Sequence, residues 1–236
     1  MGRPIVSGYG CGLECEKIMN EVYEKKLHES VCNFKKWAQR NYSEWSEEND
    51  SGEWEPRSAE FGEMIYNIIE IIENTSCSSA TKQMTDDILF GIARDDECGL
   101  IMAKLSAYPE WYSFLCRRCP ETGYINAKWQ FAASLKDHSG DDDLRETIFK
   151  FLEAGDEYTE RMALMSLAHI YLDKAEKYAI DFWEGNKFGD NEYRKVMALD
   201  VLCKIRSPKA EHYLELAVRS EHKRLRENAE KIREKY

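Results

Sequence analysis

Cys116-Arg117-Arg118-Cys119 is the one Cys-x-x-Cys in the chain. Such a pair can begin a zinc site or a redox site, and each needs more than the pair. Zinc needs two further ligands at suitable spacing, and Cys98 and His138 stand too far away in sequence to form a motif with it. Cys11-x-x-x-Cys15, in a Gly-rich arm, poses the same question. The plainer reading of Cys116 and Cys119 is two helix cysteines, one buried and one half exposed, so neither zinc nor a structural disulfide is expected. His28, His138, His169, His212 and His222 form no His-Glu-x-x-His arrangement. Asp86-Asp87 and Asp95-Asp96-Glu97 are paired carboxylates that could shift each other's protonation for acid–base work; capping a helix or facing water is the commoner use. The Gly-rich phosphate loops and the Gly-x-Ser-x-Gly elbow are missing. No catalytic residue, metal ligand or cofactor is expected.

The other chemistry on offer is recognition. Residues 42–57 carry Trp45 and Trp54 among Glu44, Glu47, Glu48, Asp50, Glu53 and Glu55, and Pro56 stands near the end. Composition makes this a loop. Tryptophans amid carboxylates pack or bind, and tryptophan is a favoured interface anchor. These eight residues are expected to meet a basic protein; the alternative is a solvated loop with its tryptophans tucked onto the first helix. Net charge is −11, and residues 41–97 hold 15 acidic and 3 basic side chains, against 23 and 22 from Trp111 to Tyr236. A negative surface repels phosphate backbones, which disfavours nucleic acid, and it speeds encounter with a cationic protein.

Helices must position all of this. Residues 1–12 read as an irregular arm. Ile18, Val22, Leu27, Val31, Phe34 and Trp37 recur at helical spacing, which predicts a helix over about 13–41. A second is predicted over 58–74. Ten shorter ones follow near 79–94, 95–107, 109–119, 123–138, 142–154, 157–171, 174–184, 191–206, 208–219 and 221–235. Pro109 and Pro208 are placed as first-turn prolines. The domains read as 1–78 (arm, long helix, acidic loop, second helix) and 79–236 (repeats).

Within the second part the chain nearly repeats itself. Residues 157–178 recur at 192–213, an offset of 35, with 11 of 22 positions identical. The shared positions include Tyr158/Tyr193, Met162/Met197, Ala163/Ala198, Leu164/Leu199, Leu167/Leu202 and Ile170/Ile205. Gly155-Asp156 and Gly189-Asp190 precede the copies. Gly-Asp, a few polar residues, Arg or Lys, then Ala-Leu-x-x-Leu-x-x-Ile resembles the second helix of a HEAT unit. The resemblance covers about residues 79–236 and is sharpest over 155–213. It implies an all-α α-solenoid of antiparallel helix pairs, a surface that usually binds a macromolecule. A tetratricopeptide-like stack, echoed by Leu164, Leu167-Ala168 and Tyr171, is the alternative. Met162/Met197, Ala163/Ala198, Leu164/Leu199, Leu167/Leu202 and Ile170/Ile205, alike in both copies, are expected to pack; those that differ, Glu160/Lys195, Met165/Asp200 and His169/Lys204, are expected exposed. In HEAT-like stacks the ridge of second helices tends to line the concave face, which would show Trp129, Met165, Asp200 and Lys231.

The expectation is a non-enzymatic protein-binding module. Likeness to acidic helical-repeat inhibitors narrows it to a bacterial immunity protein masking a cationic toxin. The alternatives are an enzyme of the HEAT-like DNA-glycosylase class, using Trp111, Tyr112 and Trp129 as a stacking platform, and a general scaffold. With no run of about 18 apolar residues, no membrane partner is expected. With no apolar leader segment at Met1, a reduced, cytoplasmic setting is expected.

Overall fold

The computed structural model describes residues 10–43, 45, 58–138 and 140–236, and of residues 10–16 the backbone alone. Among these the regular structure is helical, apart from one isolated bridge between Lys187 and Gly189. The chain forms two compact units, residues 1–127 and 128–236.

The first unit holds α1 (Gly10–Asn41), α2 (Ala59–Asn74), α3 (Lys82–Arg94), α4 (Leu100–Leu105) and α5 (Pro109–Arg118). The apolar spacing in α1 places Leu27, Val31, Phe34 and Ala38 on one buried stripe. That helix packs on α2 and α3. Ile68 and Ile72 of α2 and Ile88 and Ile92 of α3 are fully buried. Phe34 lies 5.8 Å from the Phe61 ring and 6.1 Å from the Phe90 ring. Ser58 and Thr81 accept the first free amides of α2 and α3, from Phe61 and Met84. Pro109 opens α5, where its missing N–H costs nothing.

Helix α6 (Ile125–Ser134) runs across the boundary between the units, and a 3-10 turn follows it over Leu135–His138. The second unit continues through α7 (Asp142–Leu152), α8 (Glu157–Ile170), α9 (Leu172–Glu184), α10 (Glu192–Lys204), α11 (Ala210–Val218) and α12 (Lys223–Lys235). The two near-identical copies begin at α8 and α10. Their entry turns use glycine because the backbone turns left-handed there, with φ +85° at Gly155 and +70° at Gly189. After Gly155, Asp156 caps α8 by accepting from the Thr159 amide. The second turn is one residue longer, so Asn191 caps α10 and Asp190 is released for other contacts. Helix α8 packs on α7, α9 and α10, and α10 on α9, α11 and α12. Ala163, Leu164, Leu167, Ala198, Leu199 and Leu202 are fully buried between them. Small alanines at these contacts let the helix axes approach closely.

Several expectations about exposure are corrected. Glu160 is buried, not exposed: its carboxylate accepts from Arg194 Nη1 at 3.1 Å and from the Gly155 amide at 3.1 Å, and Lys187 pairs with it at 2.5 Å. Lys195 and Asp200 are half-buried because each is drawn into an ion pair, with Asp190 and Lys235 respectively. Met162 and Met197, expected in the core, are only half-buried. Pro208 lies in the turn before α11 rather than in its first turn. Both Cys116 and Cys119 are buried, since α5 and the 3-10 turn at Cys119–Glu121 turn them inward.

Candidate protein-interaction surface

On α8, residues 158, 162, 165 and 169 share one face by the 3.6-residue period, and on α10 residues 193, 197, 200 and 204 do the same. Because α8 packs on α10 and α10 on α12, the faces stand side by side as a ridge. On α12 the matching positions are Arg224, Asn228, Lys231 and Lys235.

At one end of the ridge runs a ladder of rings and guanidinium groups. The Trp129 ring of α6 meets Tyr158 edge-on at 5.3 Å. The Arg161 guanidinium lies 4.8 Å from the Tyr158 ring and 5.4 Å from the Tyr193 ring. Arg224 of α12 approaches Tyr193 at 5.3 Å. Glu157 fixes Arg161 from one turn earlier, at 2.9 Å from Nε, and Glu192 stands 3.9 Å from Arg224. Tyr158 and Tyr193 nevertheless remain 40% and 42% exposed. The rings are therefore held in place yet open to solvent. Beside them Met162, Met165 and Met197 form a half-exposed thioether strip, a soft surface that adapts to the shape laid against it.

The other end is cationic. Lys204 contacts the His169 ring, and Lys235 pairs with Asp200 at 2.8 Å. Burial lowers the His169 pKa, and Lys204 and Lys136 add to the effect. Burial also lowers the Lys204 pKa, with Asp200 opposing and Lys235 and Lys136 adding to it. Hydrogen bonds to Asp200 and Tyr236 raise that of Lys235.

Of the residues named from sequence, Trp129, Met165 and Asp200 lie half-buried on α6, α8 and α10. Trp129 meets Tyr158, and Asp200 meets Lys235. Trp45 is half-buried, and its amide donates to the Tyr42 carbonyl at 3.2 Å. Glu44, Glu47, Glu48, Asp50, Glu53, Trp54 and Glu55 lie outside the described residues. Trp111 and Tyr112 are 3% and 1% exposed, which removes them from any stacking surface.

The tyrosines and Arg161 were missed from sequence. Tyr158 and Tyr193 are identical between the copies, yet both face water. For Tyr158 the signal is there: an aromatic with an arginine three residues on, at the start of a helix that must bury its opposite side.

The paired carboxylates resolve individually. Asp95 is buried, and its Oδ2 accepts the Ile101 amide at 2.7 Å, so it caps α4 from four residues before Gly99. Burial raises its pKa to about 6 despite that hydrogen bond. Among the described residues no group of three or more His, Cys, Asp or Glu side chains is placed to hold a metal ion. Among them, too, no helix is long and apolar enough to cross a membrane. Comparison with known proteins finds no matching family, no similar curated protein and no similar solved structure.

Proposed function

We propose that this chain is a protein-binding module of HEAT-like helical-repeat build, and that the ridge of α8, α10 and α12 is its binding face. One observation carries the reading: solvent-open tyrosines locked with arginines into a ladder across neighbouring helices, beside a methionine strip. Tyr, Trp and Arg dominate interface hot spots. Rings already fixed by Arg161 and Glu157 lose little freedom on binding, which leaves more of the contact energy as affinity. The regular packing of α8 on α10 on α12 supports the solenoid reading, because each helix meets its counterpart 31–35 residues on.

The partner is a basic protein. Residues 1–127 carry 22 acidic and 13 basic side chains, whereas residues 128–236 carry 22 and 20. The ridge, lying in the near-neutral part, holds by aromatic contact; the acidic part steers the encounter. The immunity-type form of this reading, with a cationic toxin as partner, rests on that charge excess and on a cytosolic setting with reduced cysteines.

The test is photo-crosslinking. A photoreactive amino acid replaces Tyr158 in one sample and Lys177, on the solvent face of α9, in another. In extract of the source cells, position 158 should give one dominant protein adduct and position 177 none. Equal labelling at both positions would end the assignment of the ridge.

A further inference from the structure

Outside the ridge, one cluster in the first unit joins a nucleophile, a base and an orienting carboxylate. His28 and Cys32 stand one turn apart on α1, with the sulfur 3.6 Å from His28 Nε2. His28 Nδ1 lies 2.9 Å from Asp87 Oδ2 of α3. Gln83 Nε2 donates to the other Asp87 oxygen at 3.2 Å. We propose that Cys32 is a peroxide-reactive thiol, with His28 placed to take its proton and Asp87 orienting the imidazole.

The tautomer follows from the contacts. Asp87 is a carboxylate 4% exposed and accepts only, so the neutral imidazole places its proton on Nδ1. Nε2 is then a free base facing the thiol. Transfer of the thiol proton leaves a thiolate beside an imidazolium that Asp87 stabilises, which is the nucleophile–base–orienter logic of cysteine catalysis. Burial raises the Asp87 pKa, and the hydrogen bonds from His28 and Gln83 pull it back. Among the other charged groups, Lys35 of α1 acts on Asp87, while Lys26 of α1 faces Glu70 of α2 at 4.0 Å.

The position of Cys32 selects the reaction. Deep inside α1, the neighbouring backbone amides are spent in the helix, so they cannot hold the oxyanion of an acyl transfer. Cleaving a peroxide bond needs no such hole. The thiolate attacks one peroxide oxygen, the O–O bond breaks, and the departing hydroxide takes the proton from His28 Nε2 and leaves as water. Sulfur is oxidised to a sulfenic acid, the peroxide is reduced, and His28 returns to its neutral form. A sulfenic acid is the reversible first step of thiol oxidation.

The intact chain supplies its own reference thiol, since Cys98 is exposed whereas Cys32 is half-buried. The protein is treated with hydrogen peroxide at pH 7, trapped with a 1,3-diketone specific for sulfenic acids, cut with trypsin and mapped by mass spectrometry. Cys32 falls in peptide 27–35 and Cys98 in peptide 95–104. An ordinary thiol is only a few per cent ionised at this pH, so Cys32 should be labelled about tenfold faster than Cys98, or more. His28→Ala, at a side chain 48% exposed, should bring Cys32 down to the Cys98 rate, and Asp87→Asn should lower it without altering Cys98. Labelling of Cys32 no faster than Cys98, or unchanged in His28→Ala, overturns the proposal.

Discussion

Glu160 shows how much a single side chain decides here. Its carboxylate is 2% exposed, and Arg194, 6% exposed, lies against it with the guanidinium 3.8 Å from the Phe182 ring. Removing one partner leaves the other charge buried and unpaired, which costs about 3–5 kcal/mol. Glu160→Ala should lose about that much in urea unfolding. Glu160→Met with Arg194→Met should lose less than the single change, because no charge remains buried. A double variant weaker than the single would contradict this. The pair was hidden in the sequence for a geometric reason. Copies align at 35 residues, which matches Glu160 with Lys195, but α8 meets α10 in a register that puts Arg194, 34 residues on, against it. Asp95 gives a pH test. Its folded pKa is about 6 against an ordinary 3.8, so folding takes up a proton between those values. Stability therefore falls as pH rises from about 4 to above 6. Asp95→Asn keeps an oxygen for the Ile101 amide and cannot ionise. Its urea midpoint should lack that fall; parallel curves for the two proteins would show that Asp95 is not the cause.

At the scale of elements, the helices were largely legible. The 3.6-residue spacing of apolar residues, Pro109 and the Gly155-Asp156 turn place most boundaries within a few residues, because those signals are local. Apolar spacing makes the short α4 too long, since its start is set by Asp95 reaching forward from the end of α3 to the Ile101 amide, a contact that periodicity does not carry. The entry turns matter more than their length suggests. Gly155 and Gly189 sit left-handed, where any Cβ is strained by roughly 1–2 kcal/mol. Gly155→Ala should lower stability by about that amount, although no neighbouring atom stands within 4 Å of the added carbon. A neutral effect would mean the turn relaxes to another conformation. Leu167→Ala, in the packed seam, should cost about 2–5 kcal/mol by opening a cavity. Exposure was less legible than helicity. Internal identity marks what both copies need, and here that includes two tyrosines and two methionines on the open face as well as the leucines inside.

For the whole molecule, the proposed binding function divides its work between charge and surface. The acidic excess of residues 41–97 acts at a distance and is screened beyond about 10 Å at 0.1 M salt. Neutralising Glu44, Glu47, Glu48, Asp50, Glu53 and Glu55 should slow association at low salt and flatten its salt dependence, with little change in dissociation. An unchanged rate would detach these residues from recognition. The ridge is proposed to act at contact, so its removal should do the reverse. The most direct measurement is the affinity of the crosslinked partner for the Tyr158→Ala, Tyr193→Ala double variant, beside wild type and a Lys177→Ala control, with helicity checked in each. Both tyrosines are about two-fifths exposed, so their loss leaves the core intact. The ridge account predicts native helicity, unchanged affinity for the control, and at least about a 30-fold loss in the double variant, the size of one hot spot. Wild-type affinity in a folded double variant would contradict it.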